Sequence, residues 1–375
     1  MKRVGIVGAG DISDIYLQNL TEKFNDRIEI AGICDLVPGR AESQAEKYNV
    51  KKVYESADEI ISDPTVDIVL NLTRPSEHYA ISKAALNAGK HVYSEKPLCA
   101  SLDEGIQLYE LAKEKGLLIG GAADTFLGSG IQTCVKLIDD GVIGDVVGAS
   151  AFMVCRGHET WHPDPEFYYK RGGGPMMDMG PYYLTALISM IGAVKSVTGV
   201  TKVSFPTRTI TSKDKYGTVV NVDVPTYITG IMEFASGAVG TIFTTFDVHT
   251  AQVPRIEVYG SKGTINVPDP NTFGGPVQVF IPEPIDTPNT EGDPALLAEK
   301  KETKFEDVPL IDGYSENSRG LGLYDMVKHI EDGTPLRTSN ELLLHVLEIM
   351  TGFERAYERK GFVEMNTSPD RPTPM

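Results

Sequence analysis

The feature that most constrains this chain is a regular alternation of short apolar runs and amphipathic stretches through its first 125 residues. Arg3–Val7, Glu29–Cys34, Lys52–Tyr54, Asp67–Leu72, His91–Ser94 and Leu117–Gly120 read as strands. Between them, Asp14–Phe24, Gly39–Tyr48, Ala57–Ile61, His78–Ala88 and Leu102–Lys115 carry helical periodicity. Strands separated by helices run parallel, because each helix carries the chain back to the end of the sheet where the last strand began. Val69-Leu70-Asn71-Leu72 is almost wholly apolar, as a strand covered on both faces must be. A doubly wound α/β domain over residues 1–124 follows.

The pattern changes after Asp124. A helix over Ile131–Asp139 leads into the strand Val146–Val154. Past a loop and a further helix come Val194–Val203, Thr226–Phe234, Val239–Val248, Arg255–Val267 and Val277–Ile281 with no helices between them. Such a run makes a mostly antiparallel sheet, helix-covered on one face and open on the other, in an α+β domain over residues 125–375. Pro282–Ser315, rich in Pro, Glu, Asp and Thr, reads as a long surface excursion. Leu321–Glu331 and Glu341–Arg359 are amphipathic helices, the second placed to pack back on the first domain.

A formal net charge of −17 opposes a nucleic-acid or anionic-membrane partner, since both reward clustered Lys and Arg. No apolar segment approaches the roughly 20 residues that span a bilayer. The opening apolar run Val4–Gly8 is too short for a secretion signal, so a cytoplasmic location is expected. Cys34, Cys99, Cys134 and Cys155 form no C-x-x-C pair and read as buried small hydrophobes.

Gly8-Ala9-Gly10-Asp11-Ile12-Ser13 follows the first strand and opens the first helix, matching G-x-G-x-x-G with serine at the last position. Gly8 permits the tight turn, and Gly10 lets the backbone approach a pyrophosphate at the helix N-terminus beside Asp11 and Ile12. Asp35 ends the second strand, where it is placed to accept from adenosine ribose hydroxyls and to repel a 2′-phosphate. Arg40 nearby could instead reach that phosphate, so NAD is expected, with NADP the alternative. Some eighty residues on, Glu95-Lys96-Pro97 ends the strand His91–Ser94. Pro97 biases the preceding residue to extended backbone. Lys96 therefore projects from the carboxyl end of a nucleotide-binding sheet, where small ligands meet their cofactor.

Together with Thr73-Arg74-Pro75-Ser76-Glu77-His78, Ala88-Gly89-Lys90-His91-Val92, Gly172-Gly173-Gly174 and Asp178-Met179-Gly180, these motifs resemble the Gfo/Idh/MocA family of sugar and polyol dehydrogenases over nearly the full length. The resemblance implies an N-terminal Rossmann domain, a C-terminal open-faced sheet, a nicotinamide cofactor, and a homodimer or homotetramer built through that sheet. It implies that Thr73, Arg74 and His78 line the nicotinamide side, and that Glu95 and Lys96 contact the nicotinamide ribose and the substrate.

Members of that family commonly carry Asp-x-Gly-x-His with the histidine as acid/base. Here Asp178-Met179-Gly180-Pro181-Tyr182 puts tyrosine in its place, which resembles the glucose–fructose oxidoreductase branch. Pro181 suits a first helical turn, which sets Tyr182 near a helix N-terminus and on one face with Asp178. Tyr182 is the expected acid/base and Tyr183 its rival. An adjacent Lys96 ammonium and the helix dipole are expected to lower its pKa from about 10. Asp178 is expected to orient Lys96 or the substrate hydroxyl.

His158-Glu159-Thr160-Trp161-His162 spells H-E-x-x-H, yet Pro163 and Pro165 oppose the helix a zinc site of that kind needs, and no metal is expected. The segment reads better as a substrate lid offering Arg156, His158, Trp161 and His162, with Asp124 also able to reach the cleft. His345 between Leu344 and Val346 reads as a core histidine. The leading function is hydride transfer between a nicotinamide cofactor and a secondary alcohol or ketone of a sugar, cyclitol or related polyol. The alternatives are a glycosidase or eliminase working through transient oxidation, and a non-catalytic dinucleotide-binding regulator.

Overall fold

Val4, Ile6, Ile33, Ile68, Val69, Leu70 and Val92 are all fully buried, as strands sandwiched between helices must be. In a computed structural model that describes residues 1–282 and 304–375, they build a parallel sheet. Its elements are β1 (Lys2–Val7), α1 (Asp11–Glu22), β2 (Ile28–Cys34), α2 (Arg40–Tyr48), α3 (Ala57–Ser62), β3 (Ile68–Asn71), α4 (His78–Asn87), β4 (His91–Ser94), α5 (Leu102–Lys115) and β5 (Ile119–Gly121). The strand order is β2-β1-β3-β4-β5. The order reverses direction between β1 and β3, so the crevice beyond their carboxyl ends is the natural ligand site. Lys52–Tyr54 does not form a strand: it leaves one isolated bridge, Ile33 to Val53.

The second half begins with α6 (Ser129–Asp139), β6 (Val146–Val154), α7 (Pro175–Ile191), β7 (Val194–Lys202), β8 (Thr207–Thr209), β9 (Val219–Asn221), β10 (Tyr227–Phe234) and β11 (Val239–Thr245). It continues through β12 (Ile256–Gly260), β13 (Thr264–Val267), β14 (Val277–Phe280), β15 (Glu306–Val308), α8 (Leu321–Asp332), α9 (Asn340–Arg359) and β16 (Val363–Glu364). Nine strands pair in the order β15-β14-β13-β12-β6-β11-β10-β7-β16, antiparallel except for β6 with β11. The α6, α7 and α9 helices cover one face. On the other, Val200, Ile231 and Val239 stand exposed.

The second half also departs from the sequence expectations. Arg255–Val267 is not one strand but a hairpin, because the Gly260 N–H donates to the Gly263 carbonyl at 2.8 Å and closes a turn at Ser261-Lys262. The β8–β9 hairpin and β16 were not anticipated. Within the expected excursion Pro282–Ser315, residues 283–303 lie outside the described residues. Its later part is fastened: β15 joins the sheet edge, and the Ile311 N–H donates to Thr133 Oγ1 at 3.0 Å.

The chain after residue 320 returns to the first layer. The α8 helix packs on β5, and α9 lies against α5 and β5 as well as α7 and β7. Its N-terminus is capped by Ser339, whose hydroxyl accepts from the Leu342 N–H. Gly105 on α5 is the contact point: a Cβ there would come within 2.5 Å of Leu347. His345 is buried, with Nε2 taking the Val194 N–H at 3.0 Å.

Candidate active site

The dinucleotide loop is built from backbone. Gly8 sits at φ +106°, and a Cβ there would lie 2.7 Å from the Leu72 carbonyl, so only glycine fits. Gly10 caps α1 without any side-chain bond, leaving the first N–H groups of the helix free. Open space surrounds the position where its Cβ would be. Ser13 folds its hydroxyl onto the Gly10 carbonyl at 2.6 Å, which lets serine stand where the motif has glycine. Asp35 braces the loop, accepting the Ala9 N–H through Oδ2 and the Val37 N–H through Oδ1, each at 2.7 Å. Each oxygen keeps a lone pair, so ribose hydroxyls remain within its capacity. Asp11 and Arg40 are exposed beside this loop. An uncapped helix N-terminus, a glycine cradle and an acceptor carboxylate together suit a dinucleotide.

At the end of β4, Lys96 meets α7. The helix opens at Pro175 after the Gly172-Gly173-Gly174 turn, earlier than the sequence suggested, so Pro181 lies inside it and the Met177 carbonyl loses its N–H partner. Lys96 Nζ donates to Asp178 Oδ1 at 2.6 Å and to the Asp178 carbonyl at 2.8 Å. His158 Nε2 lies 3.0 Å from Asp178 Oδ2. The lysine and aspartate side chains are 17% and 9% exposed, so the pair is largely desolvated. The ammonium stands 5.3 Å from the centre of the Tyr182 ring.

These neighbours set the protonation states. Burial alone pulls the Lys96 ammonium down, but Asp178, Tyr182 and Glu95 outweigh it and hold the group well above the usual lysine value. Burial pushes Asp178 up, while Lys96 and His158 pull it further the other way, so it stays a carboxylate. For Tyr182 the expectation of a lowered value is overturned. Burial raises it more than Lys96 and Arg319 lower it, so the side chain rests as a phenol. Tyr183 faces elsewhere, its hydroxyl donating to the Phe152 carbonyl at 3.4 Å.

Several sequence candidates are occupied otherwise. His78 is fully buried with both ring nitrogens on backbone carbonyls, Pro97 at 2.7 Å and Thr73 at 3.0 Å, so it ties the loop after β3 in place and does not line the cleft. Glu95, expected at the nicotinamide ribose, is buried with Oε1 taking the Tyr16 hydroxyl at 2.8 Å and Oε2 the Lys96 N–H. Asp124, expected in the cleft, caps α8: its Oδ2 accepts the N–H groups of Gly320 at 2.9 Å and Gly322 at 3.0 Å. Arg156 turns to His249 and Glu159 and away from Lys96. Thr73 bonds Asn71 Oδ1 at 2.6 Å, and Arg74 pairs with Asp164 of the lid.

The H-E-x-x-H segment is a turn whose side chains diverge. His158 goes to Asp178, and His162 accepts the Asp164 N–H at 3.0 Å through Nδ1. Glu159 is buried against Arg208 at 2.9 Å and Tyr169. Among the described residues no group of three His, Cys, Asp or Glu side chains is arranged to hold a metal. Arg208, carried in by the β8–β9 hairpin and also paired with Asp247, holds the loop at Glu159 in place. The Tyr168 ring centre lies 4.2 Å from that of His158, and Trp161 is 62% exposed. Sequence reasoning missed Arg208 and Arg319. Neither lies in a motif, and their partners come from distant segments.

Among the described residues no helix is long and apolar enough to cross a membrane. The profile described as "Oxidoreductase family, NAD-binding Rossmann fold" matches residues 2–121, and "GFO/IDH/MocA C-terminal domain" matches 131–266. The chain is 32% identical to D-xylose dehydrogenase of Paenarthrobacter nicotinovorans over 182 residues, 46% of this chain and 47% of that one. It is 27% identical to myo-inositol 2-dehydrogenase of Thermotoga maritima over 264 residues, 70% and 74% of the two chains. The match thus spans about half of the first relative and three quarters of the second. Levoglucosan dehydrogenase in complex with NADH superposes with a TM-score of 0.78 at 19% identity, over 98% of this chain and 99% of that one. With both halves matched and the site geometry in place, the chain belongs to the Gfo/Idh/MocA oxidoreductase family and begins with an NAD-binding Rossmann domain.

Proposed function

We propose that the protein is an NAD(P)-dependent dehydrogenase that interconverts a secondary alcohol and a ketone on a sugar, cyclitol or related polyhydroxy compound. The observation that carries the reading is the ammonium of Lys96, locked on Asp178 and set beside the Tyr182 phenol at the carboxyl end of a nucleotide-binding sheet. Bound nicotinamide supplies or accepts the hydride. In the reducing direction Lys96 polarises the ketone oxygen and Tyr182 delivers its proton to that oxygen. In the oxidising direction the substrate hydroxyl gives its proton to the fraction of Tyr182 present as phenolate, and the hydride passes from carbon to the nicotinamide. Asp178 keeps Lys96 charged and aimed, and fixes His158 where a polyol hydroxyl can meet its ring.

For the cofactor, the N–H groups at Gly10, Asp11 and Ile12 serve the pyrophosphate and Asp35 the adenosine ribose. Thr73 and Arg74 lie on the nicotinamide side. The carboxylate of Asp35 favours NAD over its 2′-phosphorylated form. Trp161 and His162 offer aromatic faces to the C–H side of a ring substrate. The relatives named for xylose and inositol support this substrate class. The exposed Val200, Ile231 and Val239 face is the surface we assign to a homodimer or homotetramer.

The test is NADH formation from NAD across D-xylose, inositols, levoglucosan and aromatic diols, with NADPH formation measured alongside. Turnover of at least one polyol, blocked by Lys96→Met, is expected. Tight NADH binding with no turnover across the panel would leave a binding protein, not a dehydrogenase.

A further inference from the structure

Arg319 lies in the loop before α8, and no motif marks it. Its guanidinium carbon stands 6.0 Å from the centre of the Tyr182 ring, against 5.3 Å for the Lys96 ammonium. The side chain is firmly held. Its Nη1 donates to Asn317 Oδ1 at 2.8 Å, and its Nη2 to Asn271 Oδ1 at 2.6 Å. Its carbonyl accepts the Asn19 amide of α1 at 2.8 Å. The loop itself is fixed by Asp124 through the Gly320 and Gly322 N–H groups.

The charges around Tyr182 explain why this matters. Lys96 and Glu95 approach from the end of β4, Asp178 from one turn earlier on α7, Tyr168 from the lid, Arg319 and Asp124 from the α8 side. The Lys96 charge is already matched by Asp178 at 2.6 Å. Among the described residues Arg319 hydrogen-bonds to neutral amide and backbone oxygens and makes no direct ion pair, so Tyr182 shares its charge only with the more distant Asp124 and Glu95 carboxylates. A phenolate formed in a buried site is costly unless a cation stabilises it.

We propose that Arg319 is a positioning residue for the reaction: it stabilises the negative charge that Tyr182 carries once its proton has moved to the substrate oxygen. This rests on the reading of Tyr182 as the proton-transfer group. In oxidation the same charge is present before the step, and Arg319 raises the fraction of Tyr182 ready to take the proton. The proton passes between the substrate oxygen and the tyrosine oxygen, and Arg319 itself gains and loses nothing.

The direct test needs no substrate. Placing 3-fluorotyrosine at position 182 of the full chain brings the phenol into an accessible pH range and gives one fluorine resonance to titrate. Arg319→Gln should raise the midpoint by about one pH unit, a tenfold change in ionisation, and Arg319→Lys should recover most of it. NADH affinity by fluorescence and the thermal midpoint should stay near wild type. In turnover of the best substrate among D-xylose, myo-inositol and levoglucosan, Arg319→Gln should lower kcat and move the alkaline limb of its pH profile upward, while KM changes little. In a Tyr182→Phe background the same substitution should cost nothing further. An unmoved fluorine midpoint would overturn the proposal, as would an equal loss of kcat in the Tyr182→Phe background. If Tyr182→Phe turned over at full rate, the parent reading would fail and this one with it. A slow Tyr182→Phe enzyme with an unaffected Arg319→Gln would remove this proposal alone.

Discussion

Asp124→Asn separates a structural carboxylate from a substrate ligand. The side chain is 1% exposed, and burial raises its pKa to about 6 despite two backbone N–H donors and Arg319 pulling the other way, with Glu95 adding to the rise. The folded protein therefore holds this proton more tightly than the unfolded chain does, whose carboxyl titrates near 4. The sign follows. The stabilising contribution is complete below pH ~4 and is lost as the pH climbs through about 6. The difference amounts to about 3 kcal/mol. Asparagine keeps an acceptor oxygen for Gly320 and Gly322 but carries no charge, so the variant should lack this slope. Urea unfolding of both proteins at pH 4 and pH 7 gives the quantity directly, because other titrating groups cancel in the double difference. The variant should gain about 2 kcal/mol relative to wild type between those two conditions, since the unfolded carboxyl is already half titrated at pH ~4. An unchanged difference, or a large rise in KM for a polyol with stability unaffected, would refute the assignment of Asp124 as a buried helix cap.

Four further outcomes are expected. Tyr182→Phe should lower kcat by about 10²-fold or more while NADH affinity measured by fluorescence stays near wild type, since only the proton donor is lost. Because burial leaves Tyr182 a phenol above the ordinary tyrosine range, ketone reduction should hold its rate through that range and alcohol oxidation should still be rising beyond it, which paired pH profiles of kcat would show. Asp178→Asn strips a largely buried ammonium of its partner and should cost about 3 kcal/mol in urea unfolding as well as activity. Gly173→Ala would set a Cβ 2.4 Å from the Phe167 carbonyl and 2.6 Å from that of Tyr168, so the lid must shift, and the quenching of Trp161 fluorescence by a bound polyol should weaken markedly.

Much of the fold is local information. The bounds of β4, α5 and β6 follow directly from apolar periodicity, because each element is uniform in pattern and ends at a turn residue. The hairpin inside Arg255–Val267 was hidden because strand residues flank a turn of only Ser261-Lys262. The β8–β9 pair was hidden because three-residue strands carry too little pattern. Around the site, Lys96 and the Asp178–Tyr182 spacing stood out in the sequence as reactive side chains at element ends. Glu95, His78 and Asp124 stood out equally, yet their polar atoms satisfy backbone or tyrosine groups inside the protein. A side chain's type does not reveal which way it faces. Arg208 and Arg319 could not be read at all, since each acquires meaning only from partners on segments far along the chain.

Lys96 stands on the first sheet, whereas Asp178 and Tyr182 ride on a helix of the second half, and the Arg74–Asp164 pair bridges the two at the lid. The reactive group is therefore a property of the seam, not of either half. Any hinge motion that parts the halves dismantles the ammonium–phenol pair and admits water at the same moment. On the function proposed above, a conformation without the Lys96–Asp178 contact would lack the aimed ammonium, so proton transfer would belong only to the state in which the halves meet.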